Sequence, residues 1–334
     1  MSSNALKLMT PTLWQPKIDI FSQRLDNPNC QIEADNDVAA VSVWLNRNES
    51  KATFNTYKKE AERFLLWCAY ERGLHLHQLK VQDFEAYFRF AQNPPLSWVA
   101  RKRAGKKGRI EGEWRPFLGP LSKTSLIATI RIINSMMNYL VTADYLSRNP
   151  IKLIKKASHF AQETQERRLM VRKRMLARDE WDAVQQAILD LPESSEEEID
   201  YKLRVQFLFF LLYSLGLRIH EVASHTWGDF RQFDDRWCFM VLGKGNKLRD
   251  IQVNDQLLSM IKIYRLHLNK SPLPASNETE HLIVSKRTNK PLGIRQLFGF
   301  VKDIGRIAAQ NFKDQPEKAK KLKSIPRIHT SYSR

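Results

Sequence analysis

Arg218, Glu221 and Lys244 are the residues of this chain whose types and spacing invite chemistry. An arginine with a carboxylate three positions on is held by the pair rather than left loose in solvent. It follows an apolar run, Phe207 to Leu215, which is too short to span a membrane and suits a buried helix. That helix is expected to stop at Gly216, which accepts a left-handed cap. Beyond it a second short helical pattern points Leu217, Val222 and Ala223 one way and Arg218, Glu221 and His225 another. Taken alone, Arg218 and Glu221 are accounted for by an ordinary ion pair.

Lys244 adds to that picture. Residues from Trp237 to Leu242 are mostly aromatic, β-branched or otherwise apolar, and charged and aliphatic positions alternate from Leu248 to Val253. Between them stands Gly243-Lys244-Gly245-Asn246-Lys247, a cluster of turn formers that predicts a β-hairpin. Glycines on both sides of Lys244 allow close backbone approach and let its side chain project from the tip. A lysine so placed reaches into a groove.

GLRIHEVASHTWGDF followed by GKGNKLRDIQV resembles the catalytic domain of the tyrosine recombinases, the phage integrase family. The resemblance implies that Arg218 is the first catalytic arginine, Glu221 its supporting carboxylate and Lys244 the catalytic lysine. It implies attack of a tyrosine on a phosphodiester, giving a 3′-phosphotyrosyl link and a free 5′-hydroxyl, with no metal and no nucleotide cofactor. Guanidinium groups suit the negative charge that builds on the phosphate oxygens, because they stay charged and grip two oxygens at once. A hairpin lysine suits proton donation to the departing 5′-oxygen. The covalent link conserves the energy of the broken bond.

The family pattern next requires a His-x-x-Arg element, a further His or Trp, and the tyrosine on a later helix. Here the chain reads SIPRIHTSYSR, which makes His329 and Arg334 the candidates for the histidine and the second arginine. Tyr332 stands where that arginine belongs, and it is too close to His329 to serve as the nucleophile. The expectation is a catalytic domain that is C-terminally incomplete and does not cleave DNA alone. In intact form it implies a site-specific recombinase or integrase, acting in integration or excision of a mobile element and assembling as a homo-tetramer on paired sites. The alternative is a DNA-binding relic that lacks the nucleophile. An RNA-binding or structural basic protein is a third reading, from a different class.

The elements that must position these residues follow from composition and periodicity. The chain of 334 residues is long enough for two domains, and 54 Lys plus Arg against 36 Asp plus Glu leave a net charge of +18. That excess predicts an extended polyanion as partner, and the family resemblance implies that it is double-stranded DNA. Cys30, Cys68 and Cys238 make neither a zinc pattern nor a disulfide framework, and no signal peptide or membrane-spanning run is found. A soluble protein of the cytoplasm is expected. His75 and His77 lack the further ligands a metal needs, so no metal site is expected.

Residues 1–36 read as a loosely ordered N-terminal arm, with prolines at 11, 16 and 28. Residues 37–158 read as a helical DNA-binding domain, similar to the core-binding (SAM-like) domain of the family. Its helices begin near Asp37, at Ser50 or Thr53, near Val81, and at Ser122. Between the last two, Arg101, Lys102, Arg103, Lys106, Lys107 and Arg109 fall within nine residues. They read either as a solvated loop or as a loop along a phosphate backbone, and the second is preferred, with Lys123 beside it. Residues 159–176 read as a basic linker and 177–334 as the catalytic domain, with a loop at the acidic stretch Glu193 to Asp200. The fold class expected is mainly α, two helical domains of which the second carries a small antiparallel β-sheet.

Overall fold

Short polar side chains open half of the helices among the described residues, each accepting a hydrogen bond from a backbone N–H that the first turn leaves unpaired. Asn36 accepts from Ala39, Ser50 from Thr53, Ser122 from Ser125, Ser195 from Glu198 and Asn254 from Leu257. The computed structural model describes residues 6, 14–22, 28–100, 114–154, 176–242, 248–285 and 288–324. The chain divides into two units, Met1–His159 and Phe160–Arg334. No helix among the described residues is long and apolar enough to cross a membrane.

The first unit holds α1 (Asp37–Asn46), α2 (Lys51–Trp67), α3 (Val81–Gln92) and α4 (Lys123–Thr142). Val41, Trp44, Phe64, Leu65, Phe84, Tyr87, Met136 and Met137 bury its core. A buried polar group crosses that core. Arg63 donates to Glu60 Oε2 at 2.9 Å and, through Nε and Nη2, to the carbonyl of Pro116 at 3.2 and 3.1 Å. Thr129 donates to the same Glu60 oxygen at 2.9 Å, and the guanidinium lies 4.2 Å from the Phe117 ring centre. Phe117 also bonds back to Ala100 and Trp98 through its backbone, so the residues that bracket the basic block are tied together. The block itself, Arg101 to Arg109, lies outside the described residues.

The expectation of a loose arm is corrected wherever that stretch is described. Leu6 and Ile20 are buried in the core of the first unit, and the Trp14 ring lies 4.3 Å from that of Trp98. The Lys17 N–H bonds to Ala69 O and that of Gln31 to Ala143 O, both at 2.9 Å. Apolar side chains here pack singly from an irregular backbone. Such packing has neither the helical nor the strand period that a sequence reading detects.

The second unit runs α5 (Arg178–Leu189), α6 (Glu196–Ser214), α7 (Ile219–Ser224), β1 (Phe230–Phe233), β2 (Arg236–Leu242), β3 (Leu248–Gln252), α8 (Asp255–His267), α9 (Ile294–Ala308) and α10 (Pro316–Lys323). Its sheet is antiparallel in the order β1-β2-β3, with Phe230 opposite Phe239 and Leu242 opposite Leu248. The unit is thus mostly helical with a small sheet. Phe207 of α6 anchors its core, stacked 5.2 Å from Trp227 and 4.6 Å from Tyr264.

One local reading is corrected and two elements were not foreseen. The acidic stretch is not a loop throughout, because Ser195 and Glu198 form a capping box and α6 starts at Glu196. Three successive glutamates in a first turn complement the positive end of the helix dipole. Strand β1 was not expected, since only its Phe230 is buried and its other three residues face solvent. Helix α10 was also missed. It is tied to α5 by Lys321, which donates to Glu180 Oε2 at 2.5 Å.

Gly216 adopts φ +60°, the left-handed cap expected at the end of α6. No described atom lies within 4 Å of a Cβ built there, so substitution meets backbone cost without a clash. Gly216→Ala is therefore expected to cost about 1–2 kcal/mol, the left-handed penalty alone, read as a drop in urea midpoint with unchanged slope.

Candidate active site

Helix α6 buries Phe207, Leu208, Leu211 and Leu212, and its end fixes where the chain turns at Gly216. Leu217 is buried next, and Arg218 then takes extended backbone (φ −82°, ψ 149°) as the N-cap of α7. Glu221 sits at the third helical position and reaches back. Its Oε2 accepts the Arg218 N–H at 2.7 Å and its Oε1 accepts Arg218 Nη1 at 2.8 Å. A second guanidinium arrives from β3: Arg249 Nη2 donates to Glu221 Oε2 at 3.1 Å.

The burial of these groups is unequal. The Glu221 side chain is 2% exposed, whereas those of Arg218 and Arg249 are 44% and 43% exposed. One buried carboxylate thus lies beneath two half-open cations, leaving a surplus positive charge that faces solvent. Burial pushes the Glu221 carboxyl up, but the hydrogen bonds from the backbone and guanidinium of Arg218, with the charge of Arg249, outweigh it and hold the group below the usual carboxylate range. Such an arrangement suits an oxyanion, because a guanidinium carries five N–H donors and the contacts with Glu221 use only one of each.

The same depression sets a pH dependence. Glu278 is also held low: burial raises it, and the Arg265 guanidinium and the Ala275 N–H more than offset this. A carboxyl whose folded pKa lies below its unfolded one contributes stability that is complete above the unfolded value, about 4.3, and is lost as pH falls through the folded value. The urea midpoint is expected to be level down to about pH 5 and to fall steadily below about pH 4. Glu278→Gln should reduce that fall.

Of the residues singled out in the sequence, Arg218 and Glu221 are brought together. Lys244 lies outside the described residues, although the strands on either side of it are paired up to Leu242 and Leu248. Arg101, Lys102, Arg103, Lys106, Lys107, Arg109, His329 and Arg334 lie outside them too. Lys123 is exposed at the first position of α4, where a cation gains nothing from the helix dipole. His75 and His77 stack on each other, and His75 Nδ1 lies 3.4 Å from Asp37 Oδ2. Among the described residues no group of three His, Cys, Asp or Glu side chains is placed to hold a metal. Sequence reasoning missed Arg249. Its strand alternation was visible, but its partner lies 28 residues earlier.

Residues 182–321 match the model of the phage integrase family. Tyrosine recombinase XerC of Pediococcus pentosaceus is 26% identical over 178 residues, which is 52% of this chain and 52% of that protein. A tyrosine recombinase of Thermosipho africanus is 25% identical over 218 residues, 65% of this chain and 62% of that protein. Tyrosine recombinase XerD of Rickettsia prowazekii is 37% identical over 86 residues, 24% and 28% of the two chains. The match thus spans 52% and 62% of the first two relatives. Among solved structures, XerH site-specific recombinase bound to palindromic difH substrate, a post-cleavage complex, aligns with a TM-score of 0.51 at 14% identity. That alignment covers 89% of this chain and 78% of the other, and it concerns the fold.

Proposed function

We propose that this chain, a member of the tyrosine recombinase family through residues 182–321, is a site-specific recombinase or integrase that binds double-stranded DNA and, with a nucleophilic tyrosine in place, breaks and rejoins strands through a 3′-phosphotyrosyl intermediate. The observation that carries the proposal is the Glu221 carboxylate, buried beneath the half-exposed guanidiniums of Arg218 and Arg249. A scissile phosphate gains charge in the pentacoordinate state, and cations fixed before reaction stabilise it without reorganising. Arg218 is assigned to the non-bridging oxygens. Lys244 is assigned to protonating the 5′-leaving oxygen, with Glu221 holding Arg218 in place. The net charge of +18 supports an extended polyanion such as duplex DNA as the partner.

The test is relaxation of supercoiled plasmid in the presence of a metal chelator, with denaturing electrophoresis to find a protein–DNA adduct. Relaxation with an adduct supports the recombinase reading. Salt-dependent binding to duplex without any adduct supports a DNA-binding protein only. In that case Arg218→Ala and Lys244→Ala act as single phosphate contacts, each lowering the salt slope by about one. A preference for RNA over duplex DNA removes both.

A further inference from the structure

One side chain stands between Glu221 and the strand that leads to Lys244, and both of its ring nitrogens are engaged. His225, the residue that ends α7, is 7% exposed. Its Nδ1 lies 2.7 Å from the Glu221 carbonyl oxygen, and the Leu242 N–H reaches its Nε2 at 3.3 Å. A backbone N–H can only donate, so Nε2 is the acceptor, and Nδ1 carries the hydrogen and donates to Glu221 O. The ring leans on Phe239 with centroids 5.4 Å apart, and the His225 carbonyl accepts from Leu282 N at 3.3 Å.

Leu242 is the last residue of β2, paired opposite Leu248. Its N–H goes to an imidazole from another element. Among the described residues, β1 pairs along β2 only as far as Phe239, so Met240 to Leu242 extend past the end of β1. His225 supplies a partner on this overhang. We propose that His225 is a positioning residue: by joining the Arg218–Glu221 helix to the final residue of β2, it sets where the chain leaves β2 toward Lys244 relative to Arg218. The coupling is a property of α7 and β2. Only its consequence for Lys244 rests on the recombinase reading.

Three variants of the full chain separate the two nitrogens. His225→Gln carries an amide oxygen near the place of Nε2 and can keep the Leu242 bond. His225→Asn keeps a donor for Glu221 O and loses Leu242, and His225→Phe keeps the ring volume and loses both. Amide hydrogen exchange at Leu242 is measured first, with the thermal midpoint as a control for global stability. Loss of one hydrogen bond is expected to speed Leu242 exchange roughly tenfold in the Asn and Phe variants, with His225→Gln near wild type. Protection in His225→Asn without protection in His225→Gln would mean that the ring only caps α7, and the proposal fails. It fails equally if no variant changes exchange. Should His225→Phe not fold, the Gln and Asn pair still decides.

A second arm reads Lys244 by acetylation with and without a random-sequence duplex. The duplex is expected to shield Lys244 in wild type and His225→Gln and to shield it several-fold less in His225→Asn. Absence of shielding in wild type overturns the recombinase reading and the Lys244 consequence, while exchange at Leu242 judges the coupling by itself.

Discussion

Arg218→Ala is expected, where a nucleophilic tyrosine is in place, to slow strand cleavage by roughly 10²–10³-fold or more, the cost of removing one preorganised donor from a developing oxyanion. Duplex affinity should fall only as for one phosphate contact, about one unit of salt slope. The difference arises because the charge that Arg218 is proposed to meet is larger in the pentacoordinate state than in bound DNA. Arg218→Lys should be nearly as damaging. Lysine keeps the charge but cannot bridge from Glu221 to a phosphate with a planar fork, and in this site one face of the fork is already committed to Glu221 Oε1. The measurement is single-turnover accumulation of the covalent adduct, with binding followed separately across a salt series. Equal losses in binding and cleavage would remove Arg218 from the chemistry and leave it an ordinary contact.

Arg265→Ala is expected to destabilise the second unit by about 3–5 kcal/mol, the loss seen when one member of a buried ion pair is removed. Arg265 is 1% exposed and uses every side of its guanidinium. Nη1 and Nη2 donate to the two oxygens of Glu278 at 2.8 Å each, Nε donates to Ser271 O at 2.7 Å, and the plane lies 4.8 Å from the Trp227 ring centre. Glu278 in turn accepts the Ala275 N–H through its side chain and the Gly228 N–H through its carbonyl. A Cβ on Gly228 would stand 2.6 Å from that carbonyl, so this loop has no slack for a shifted partner. Truncation thus leaves a carboxylate without its counter-charge and opens space beside Trp227. A loss of that size is a large fraction of a typical domain's stability. Urea unfolding of Arg265→Ala against the double variant Arg265→Met with Glu278→Leu decides the cause. If the single variant loses less than about 1 kcal/mol, the pair is not what holds the loop.

Arg265 and Glu278 were invisible to a reading by motif, and the reason is general to this chain. Helix starts were legible because a cap and its N–H partner lie three residues apart, as with Ser50 and Thr53 or Ser122 and Ser125. The Gly216 cap was legible because few residues tolerate its backbone. Strand β1 was not, since Arg231, Gln232 and Phe233 are exposed and its register is set by the partner strand. The packed stretch before α1 was hidden because its apolar residues follow no period.

By itself the sequence determined the mainly helical class and the pairing of Arg218 with Glu221. Each rests on contacts between near neighbours or on bulk composition. Only the tertiary structure decided that Glu221 also holds Arg249, and that His225 joins the same helix to Leu242, 17 residues further on. Those bonds form when β2 and β3 fold back onto α7. Hydrophobic burial of Phe230, Phe239 and Val241 brings the sheet there, and no local spacing encodes the distance across it.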